Sequence, residues 1–246
     1  MASRGAALVT GGARRIGLAL VIACAEAGYD VAIHCRSIDE DAEAAAGEVR
    51  ARGRSAAILT CDLRQEAAVV SLIGEAEAEL GPVTLLVNCA SIFEHDSIAD
   101  MNRASWDVHM DTNLWAPMVL SQAFARRLPP GHEGLIVNII DQRVLRPTPD
   151  FFSYSLSKAA LFEATRMLAQ AFAPRIRVNG IGPGPVLKSI HQDDDAFAQE
   201  ARSTLLRRPV EPAEIAAALR YLIDAKAVTG QMIAVDGGQH LAAHGD

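Results

Sequence analysis

The chain has 246 residues, a formal net charge of −7 and an isoelectric point near 5.5, and 50% of its residues are hydrophobic. That much apolar material supplies the core of one α/β domain. The acidic balance argues against nucleic acid or an anionic membrane as the main partner, because both attract basic surfaces.

No segment looks like a membrane span, a signal peptide or a metal site. The longest apolar run, Leu18 to Ala25, is too short to cross a bilayer, and Met1 to Gly5 lack the apolar core of a signal peptide. The four cysteines show no C-x-x-C spacing and the histidines do not cluster. We therefore expect a cytoplasmic protein with reduced thiols and no metal.

Short apolar runs alternate along the chain with longer helical patterns, and no repeat or linker interrupts them. Strands that are apolar on both faces and separated by helices are typical of a parallel sheet covered on both sides. The sequence predicts a single doubly wound α/β domain of the Rossmann type over residues 1–246, with a seven-stranded parallel sheet. The predicted strands are Ala6–Thr10, Val31–Cys35, Ala56–Cys61, Thr84–Asn88, Leu135–Ile140, Ile176–Ile181 and Met232–Val235.

The first strand runs directly into a glycine-containing turn, Thr10–Gly17, and then into a helix that we expect to end at Gly28. Glycines let a backbone approach a pyrophosphate, and the N–H groups at the start of the helix meet its charge. The turn is neither a G-x-G-x-x-G loop nor a P-loop. Its position, with Arg14 and Arg15, favours a dinucleotide phosphate site over an empty turn.

The end of the second strand predicts which cofactor is bound. An acidic residue there binds the ribose hydroxyls of NAD, whereas the 2′-phosphate of NADP requires an arginine and small hydroxyl partners. The sequence places Arg36 and Ser37 at this point, with no acidic residue before Asp39. We therefore expect NADPH, with Arg14 assisting, although a single arginine after a strand is also common as a surface residue.

Three long irregular segments each follow a predicted strand: Ser91–Asn102, Asp141–Phe151 and Gly182–Asp195. The carboxyl ends of parallel strands meet at one edge of the sheet, and ligands bind in the crevice beyond that edge. The three segments therefore predict an active site at this edge.

Tyr154 and Lys158 stand four residues apart, on one face of a predicted helix. An ammonium favours the charged form of a neighbouring phenol, whose ordinary pKa of about 10 is too high for proton transfer at neutral pH. Thirteen residues before the tyrosine stands Asp141. An ionised carboxylate there repels a developing oxyanion, which disfavours simple carbonyl reduction. Beside a nitrogen heterocycle it can accept N–H bonds or share a proton with Tyr154, unless it only caps its loop.

In order and spacing, these motifs closely resemble the short-chain dehydrogenase/reductase family over nearly the whole chain. The glycine pattern of the family matches Thr10, Gly11 and Gly17, and its Tyr-x-x-x-Lys pair matches Tyr154 and Lys158. The resemblance implies further roles for Asp62 as the adenine-pocket acid, Asn88-Cys89-Ala90 as a variant of the Asn-Ala-Gly motif, Asn113 as the active-site asparagine, and Pro183-Gly184 as the turn after the sixth strand.

Three departures resemble the pteridine reductase and dihydromonapterin reductase branch of that family: Arg15 in place of a glycine, Asp141 in place of the usual serine, and Phe93 after the fourth strand. The closing segment Val235–Leu241 is also similar. The branch implies that NADPH reduces a 7,8-dihydropterin, such as dihydromonapterin, dihydrobiopterin or dihydrofolate, to the tetrahydro form. Phe93 would stack on the pterin, or else lie in the core. Arg15 would place a cation between pyrophosphate and pterin, or else remain a solvated surface charge.

The resulting assignments divide the site into three groups of residues. Catalytic roles go to Asp141, Tyr154, Lys158 and Asn113. NADPH binding is assigned to Gly11, Arg14, Arg15, Ile16, Gly17, Arg36, Ser37, Asp62, Leu63, Asn88, Ala90, Ser91, Tyr154, Lys158, Pro183 and Gly184. Substrate binding is assigned to Arg15, Ser91, Phe93, Asp141 and Tyr154.

Two structural expectations and two alternative functions complete the interpretation. Residues 182–206 should form a mobile substrate lid, in which Lys188 and Asp193–Asp195 are solvated and carry no chemistry. The apolar faces of Trp106–Leu128 and Leu156–Phe172 predict pairing across a two-fold axis, and the resemblance implies a homotetramer. The alternatives are a carbonyl or imine reductase of another small molecule, and a non-catalytic NADP(H)-binding sensor or scaffold.

Overall fold

The computed structural model describes residues 4–188 and 192–242, which form one parallel sheet of seven strands between two layers of helices. The strands are β1 (Ala6–Thr10), β2 (Asp30–Cys35), β3 (Ala56–Thr60), β4 (Val83–Asn88), β5 (Gly134–Ile139), β6 (Ile176–Pro183) and β7 (Met232–Val235). Their spatial order is β3-β2-β1-β4-β5-β6-β7, so the order reverses between β1 and β4. A crevice at this reversal is the usual ligand site of such sheets.

The helices lie on both faces because successive side chains of a strand point to opposite sides of the sheet. The helices are α1 (Arg15–Glu26), α2 (Glu40–Ala51), α3 (Glu66–Leu80), α4 (Arg103–Met110), α5 (Ala116–Arg127), α6 (Phe152–Phe172), α7 (Asp194–Ser203) and α8 (Pro212–Asp224). Ala7 and Val9 of β1 join the apolar core under α1, α2 and α8. Ala6 and Leu8 join the second core, under α3, α5 and the end of α6.

Three short helical turns complete the elements and position parts of the site. A π-helical turn, Asp111–Trp115, joins α4 to α5, so that the predicted long helix of residues 106–128 is continuous but locally widened. The 3₁₀ turns Gln142–Val144 and Gln239–Leu241 follow β5 and β7.

The predicted fold is confirmed, and the strand ends differ mainly at β6. This strand runs to Pro183 because β7 pairs with it through Gly182↔Ala234 and Pro183↔Val235. The irregular segment predicted from Gly182 to Asp195 was therefore wrong at both ends. It begins at Gly184, and its last two residues already belong to α7. Residues 189–191 of the predicted segment lie outside the described residues.

Within residues 4–188 and 192–242, no helix combines the length and the hydropathy that a bilayer span requires. The same part of the chain brings together no group of three histidine, cysteine, aspartate or glutamate side chains that could hold a metal ion.

Candidate active site

A cavity of about 860 Å³ opens at the carboxyl edge of the sheet, lined by residues that follow all seven strands. Most of the residues predicted from sequence line it: Gly11, Arg14, Arg15, Ile16, Gly17, Arg36, Asp62, Leu63, Ala90, Ser91, Phe93, Asp141, Tyr154, Lys158, Pro183 and Gly184. Ser37, Asn88 and Asn113 do not line it.

The glycine turn after β1 presents its backbone to the cavity at close range. Gly11 has φ +66°, and a Cβ there would lie 2.9 Å from Cα of Ala90. A Cβ on Gly17 would collide with the carbonyl oxygen of Gly11. These positions therefore require glycine, because a Cβ would prevent the turn from packing closely against Ala90 and against itself.

Arg15 occupies the position where the family usually has the middle glycine, and it adopts the left-handed conformation with φ +54°. A non-glycine residue in this region costs roughly 1–3 kcal/mol unless its surroundings hold it there. Its guanidinium donates to the carbonyl oxygens of Leu187 and Lys188 at 3.2 and 3.1 Å. Arg15 thus connects the glycine turn to the segment after β6 across the cavity.

His34, at the end of β2, holds the glycine turn through a hydrogen bond to its backbone. Sequence reasoning missed this role. The backbone N–H of Gly11 donates to Nδ1 of His34 at 3.4 Å, and Nε2 lies 3.2 Å from the carbonyl oxygen of Cys61. Burial lowers the pKa of His34, so the ring is neutral and carries its proton on Nε2. The signal available in the sequence was a histidine inside an otherwise apolar strand.

The arginines near β2 surround one end of the cavity. Arg36 has a side chain that is 79% exposed and lies 3.9 Å from Asp62. Nε of Arg64 donates to the two carboxylate oxygens of Asp62, at 3.0 Å from Oδ1 and 3.1 Å from Oδ2. This pairing lowers the pKa of Asp62 to about 2. Arg14 lies 3.7 Å from Asp39, at the start of α2, on the side predicted for the adenosine.

The carboxyl group of Asp141 and the phenol of Tyr154 are in direct contact. Tyr154 Oη donates to Asp141 Oδ2 at 2.7 Å, and the backbone N–H of Arg143 donates to Oδ1 at 2.8 Å. The aspartate therefore caps the 3₁₀ turn after β5 and binds the phenol at the same time. The two interpretations offered for Asp141 are compatible, because each uses a different carboxylate oxygen.

The sequence predicted that Lys158 favours the ionised phenol, and its Nζ lies 5.8 Å from the centre of the Tyr154 ring. Burial and Asp141 are the main influences on the pKa of the phenol in this structure. Burial, followed by the charge of Asp141 and its hydrogen bond, raises the pKa of Tyr154 well above its ordinary value. Lys158 Nζ donates instead to the carbonyl oxygen of Ile139 at 2.9 Å, and burial lowers its pKa to about 8. Burial also raises the pKa of Asp141. A carboxyl and a phenol in this contact titrate as a pair and can hold one proton between them.

Asn113 and Asn88 stabilise the frame around the cavity. Asn113, in the π-helical turn, accepts from the backbone N–H of Ile92 at 2.8 Å and donates to the carbonyl oxygen of the same residue at 2.9 Å. Asn88 donates to Asn138 on the neighbouring strand at 2.8 Å. Asn113 therefore holds the start of the loop after β4, and Asn88 connects two neighbouring strands of the sheet.

Aromatic side chains form one wall of the cavity beside the phenol. The ring of Phe93 stacks on Phe151 with centroids 4.1 Å apart and meets Tyr154 edge-on at 4.6 Å. The guanidinium carbon of Arg143 lies 5.2 Å from the centre of the Phe151 ring. Sequence reasoning found Phe93 and missed Phe151 and Arg143, which only the folding of the loop after β5 brings to the same place.

The segment predicted as a lid contains α7 and reaches across the cavity. Glu200 of α7 accepts from Nε2 of Gln192 at 2.7 Å and from Nε2 of Gln239 at 3.1 Å. All three residues line the cavity, and none was identified from the sequence. They come from two separate parts of the chain, so no local pattern relates them.

Lys188 and the aspartates near it are exposed, as the sequence predicted, and they also make contacts around the start of α7. Lys188 Nζ pairs with Asp194 at 2.7 Å. Asp193 caps the helix by accepting from the backbone N–H of Ala196 at 2.7 Å. A helix N-terminus favours acidic residues in its first turn, which explains the run of aspartates.

Comparisons with known proteins agree with this geometry. A family profile described as enoyl-(acyl carrier protein) reductase matches residues 11–240. The 3-oxoacyl-[acyl-carrier-protein] reductase FabG of Staphylococcus epidermidis is 30% identical over 240 residues, which cover 96% of this chain and 98% of the relative.

Two solved structures are also similar over nearly the full length. FolM alternative dihydrofolate reductase 1 from Brucella canis, complexed with NADP, is 45% identical with a TM-score of 0.95, covering 100% of this chain and 97% of that one. A blue fluorescent protein from a metagenomic library, in complex with NADPH, is 33% identical with a TM-score of 0.90, covering 96% and 98%. The sequence motifs, the fold and these matches agree, and this chain belongs to the short-chain dehydrogenase/reductase family of oxidoreductases that use a nicotinamide cofactor.

Proposed function

We propose that the protein uses NADPH to reduce a 7,8-dihydropterin to the tetrahydro form. The observation that carries this proposal is the 2.7 Å hydrogen bond from Tyr154 to Asp141, at the position where the family usually has a serine. A serine can donate to the oxygen of a ketone, whereas a carboxylate repels the oxyanion that forms there. The nitrogen of a C=N bond instead needs a proton, and this pair is built to hold one. The 45% identity to FolM supports the same substrate class.

The residues present fit NADPH. Gly11 and Gly17 line the cavity at the start of α1, where backbone N–H groups can meet a pyrophosphate, and Arg36 stands exposed beside the adenosine end of the cavity. Asp62 faces the same end and is held ionised by Arg64. When bound, NADPH supplies the hydride that is delivered to carbon.

The chain's own residues position the pterin and move the proton. The aromatic wall of Phe93 and Phe151 can pack against a flat heterocycle beside the phenol, an interaction worth about 0.5–1.5 kcal/mol beyond area burial. Tyr154 then gives its proton to the ring nitrogen. The phenolate takes a replacement proton from solvent, and Asp141 shares that proton through its hydrogen bond to the phenol. Lys158 places a positive charge beside the Tyr154 ring, and Arg15 places a second positive charge near the cofactor phosphates.

The second candidate function is the reduction of a carbonyl compound, which the 30% identity to FabG favours. For this reaction, Asp141 must be protonated so that it can donate to the oxygen. Burial raises the pKa of this carboxyl, which makes that state more accessible than for an exposed aspartate.

One assay separates the candidates. NADPH oxidation is followed with dihydrobiopterin, dihydromonapterin and dihydrofolate, with a 3-oxoacyl thioester as the carbonyl comparator. We expect turnover with at least one dihydropterin and little with the thioester. Turnover with the thioester alone would refute the pterin proposal, and NADPH binding without turnover of any compound would support a sensor or scaffold.

We further propose a cytoplasmic homotetramer in which residues 182–206 close over the substrate. Large apolar side chains remain exposed on the paired helices of the single chain: Trp115 is 51%, Leu156 39% and Met167 67% exposed. Burying such side chains against another copy removes apolar surface from water. Arg15 and Glu200 supply the contacts that connect the lid to the rest of the cavity.

A further inference from the structure

We propose that His109, Ser153 and Asp96 form a positioning unit that fixes Phe93, and with it the substrate-binding wall, relative to Tyr154. The inference rests on the proposed pterin function for its kinetic part. None of the three residues was singled out by the sequence motifs, and all three are buried, with His109 and Ser153 fully inaccessible.

The loop after β4 is held on both sides of Phe93 by one helical face. Asn113 binds the backbone N–H and carbonyl of Ile92, just before Phe93. His109, one helical turn earlier, accepts from the backbone N–H of Glu94, just after Phe93, at 3.2 Å. Two side chains at i and i+4 therefore fix the backbone on either side of the stacking ring.

The same two side chains also bind two serines that are spaced by four residues on α6. Asn113 Nδ2 donates to Ser157 Oγ at 3.1 Å, and His109 Nδ1 lies 2.7 Å from Ser153 Oγ. Tyr154 directly follows the second of these serines. The loop with Phe93 and the helix with Tyr154 are thus joined by two parallel connections.

Asp96 completes the unit by capping α6 from a distant part of the chain. Phe151 at the start of this helix is left-handed and provides no side-chain cap. Asp96 Oδ1 accepts from the backbone N–H of Ser153 at 3.0 Å, Oδ2 accepts from Ser153 Oγ at 2.5 Å, and its carbonyl accepts from the N–H of Phe152 at 3.0 Å. A carboxylate is favoured at a helix N-terminus, so this contact fixes the helix end that carries Tyr154.

The three residue types are those of a hydrolytic triad, but their arrangement excludes that chemistry. In a triad the histidine bridges the carboxylate and the serine. Here Ser153 bridges Asp96 and His109, and Nε2 of the histidine is occupied by the N–H of Glu94. Burial lowers the pKa of His109, which keeps the ring neutral and Nε2 available as an acceptor. The arrangement therefore orders the backbone and presents no nucleophile to the cavity.

The test replaces Ser153 with alanine and uses Ser155→Ala as its matched control. Ser155 lies on the same helical turn, and its hydroxyl donates weakly to the carbonyl of Asp150, at 3.4 Å. We expect Ser153→Ala to raise the KM for dihydrobiopterin by about tenfold, because displacing a positioning group by about an ångström has effects of this order or larger. The dissociation constant of Ser153→Ala for NADPH should change less than about twofold. In Ser155→Ala, both the KM for dihydrobiopterin and the dissociation constant for NADPH should change less than about twofold.

Hydrogen–deuterium exchange supplies a readout that does not depend on the substrate. In Ser153→Ala, exchange at the backbone amides of residues 92–97 should accelerate, while residues 10–17 of the glycine turn stay unchanged. Asp96→Asn should produce the same pattern without removing a hydroxyl, so a variant that fails to fold does not decide the result. If wild type reduces no dihydropterin, the proposed function fails and the exchange data alone judge the positioning unit. Unchanged exchange at residues 92–97, or a loss of kcat with an unchanged KM for the pterin, would overturn the proposal.

Discussion

Replacing Asp141 with asparagine tests the proton delivery that distinguishes this site. The carboxylate accepts twice, from Tyr154 Oη at 2.7 Å and from the backbone N–H of Arg143 at 2.8 Å. Asparagine keeps one oxygen for the backbone contact and puts an NH₂ group, which cannot accept, opposite the phenol. The backbone contact that shapes the loop is therefore retained, while the shared proton is lost together with the acceptor for the phenol and the carboxylate charge.

The expected loss in turnover is large and specific. One positioned acid or base contributes typically 10²–10⁴-fold, so dihydropterin turnover in Asp141→Asn should fall by about 10² or more. NADPH binding should remain nearly unchanged, because the residues that we propose for the phosphates and the adenosine lie at the other end of the cavity. Steady-state kinetics and a fluorescence titration with NADPH measure the two quantities separately.

A serine variant provides the comparison that separates proton delivery from simple disruption. Asp141→Ser should also lose pterin turnover while admitting ketones, because the repulsion toward an oxyanion is removed. If Asp141→Asn reduces a dihydropterin at the wild-type rate, then Tyr154, Lys158 and solvent suffice, and the reasoning from Asp141 is refuted.

Asp141→Asn should also change how the thermal stability of the protein depends on pH. Burial raises the pKa of Asp141 above its ordinary value of 3.8, so the folded protein binds this proton more tightly than the unfolded chain does. The contribution of this carboxyl to the stability of wild type is therefore lost as the pH rises from 3.8 through the raised folded value, and Asp141→Asn has no such contribution. The Tm of Asp141→Asn should therefore rise relative to the Tm of wild type over this pH interval. A Tm difference that stays constant with pH would contradict a raised pKa for Asp141.

Arg36→Ala should weaken NADPH binding by about 1.5–3 kcal/mol, the value of one charge-assisted hydrogen bond, and leave NADH nearly unchanged; equal weakening of both would place the phosphate elsewhere. Burial lowers the pKa of Lys158 from 10.5 to about 8, so wild-type stability relative to Lys158→Met should rise between these pH values, and a flat Tm difference would argue against a buried ammonium. Light scattering at micromolar concentration should show the mass of a tetramer, because Trp115, Leu156 and Met167 are exposed on the single chain and we expect another copy to cover them; a monomer would refute the proposed assembly.

The sequence determined the fold, because strand and helix periodicity are local properties. Seven apolar runs separated by helical patterns were enough to predict the parallel sheet. The glycine turn that the sequence predicted lies at the carboxyl edge of this sheet, where Gly11 and Gly17 line the cavity. The ends of the predicted strands all fell within two residues of the observed ends. The difference is largest at β6, which continues through Gly182 to Pro183 because β7 pairs with it there.

Residue type and spacing also identified most of the site. Tyr154, Lys158 and Asp141 are recognisable by their separation along the chain, and all three line one cavity. What spacing left undetermined was the partner of each polar atom. The ammonium of Lys158 donates its hydrogen bond to the carbonyl oxygen of Ile139. The pKa of the Tyr154 phenol is raised mainly by burial and by Asp141.

Only the tertiary structure decided the contacts between distant segments. Asp96 caps a helix that begins at Phe152, Arg15 reaches the carbonyl of Leu187, and Glu200 meets Gln239 over the cavity. Such pairs leave no pattern in the sequence, because each residue alone is an ordinary polar residue in a loop or on a helix surface. Their roles arise when the parallel sheet brings the loops at its carboxyl edge within hydrogen-bonding distance and burial removes the water that would otherwise satisfy them.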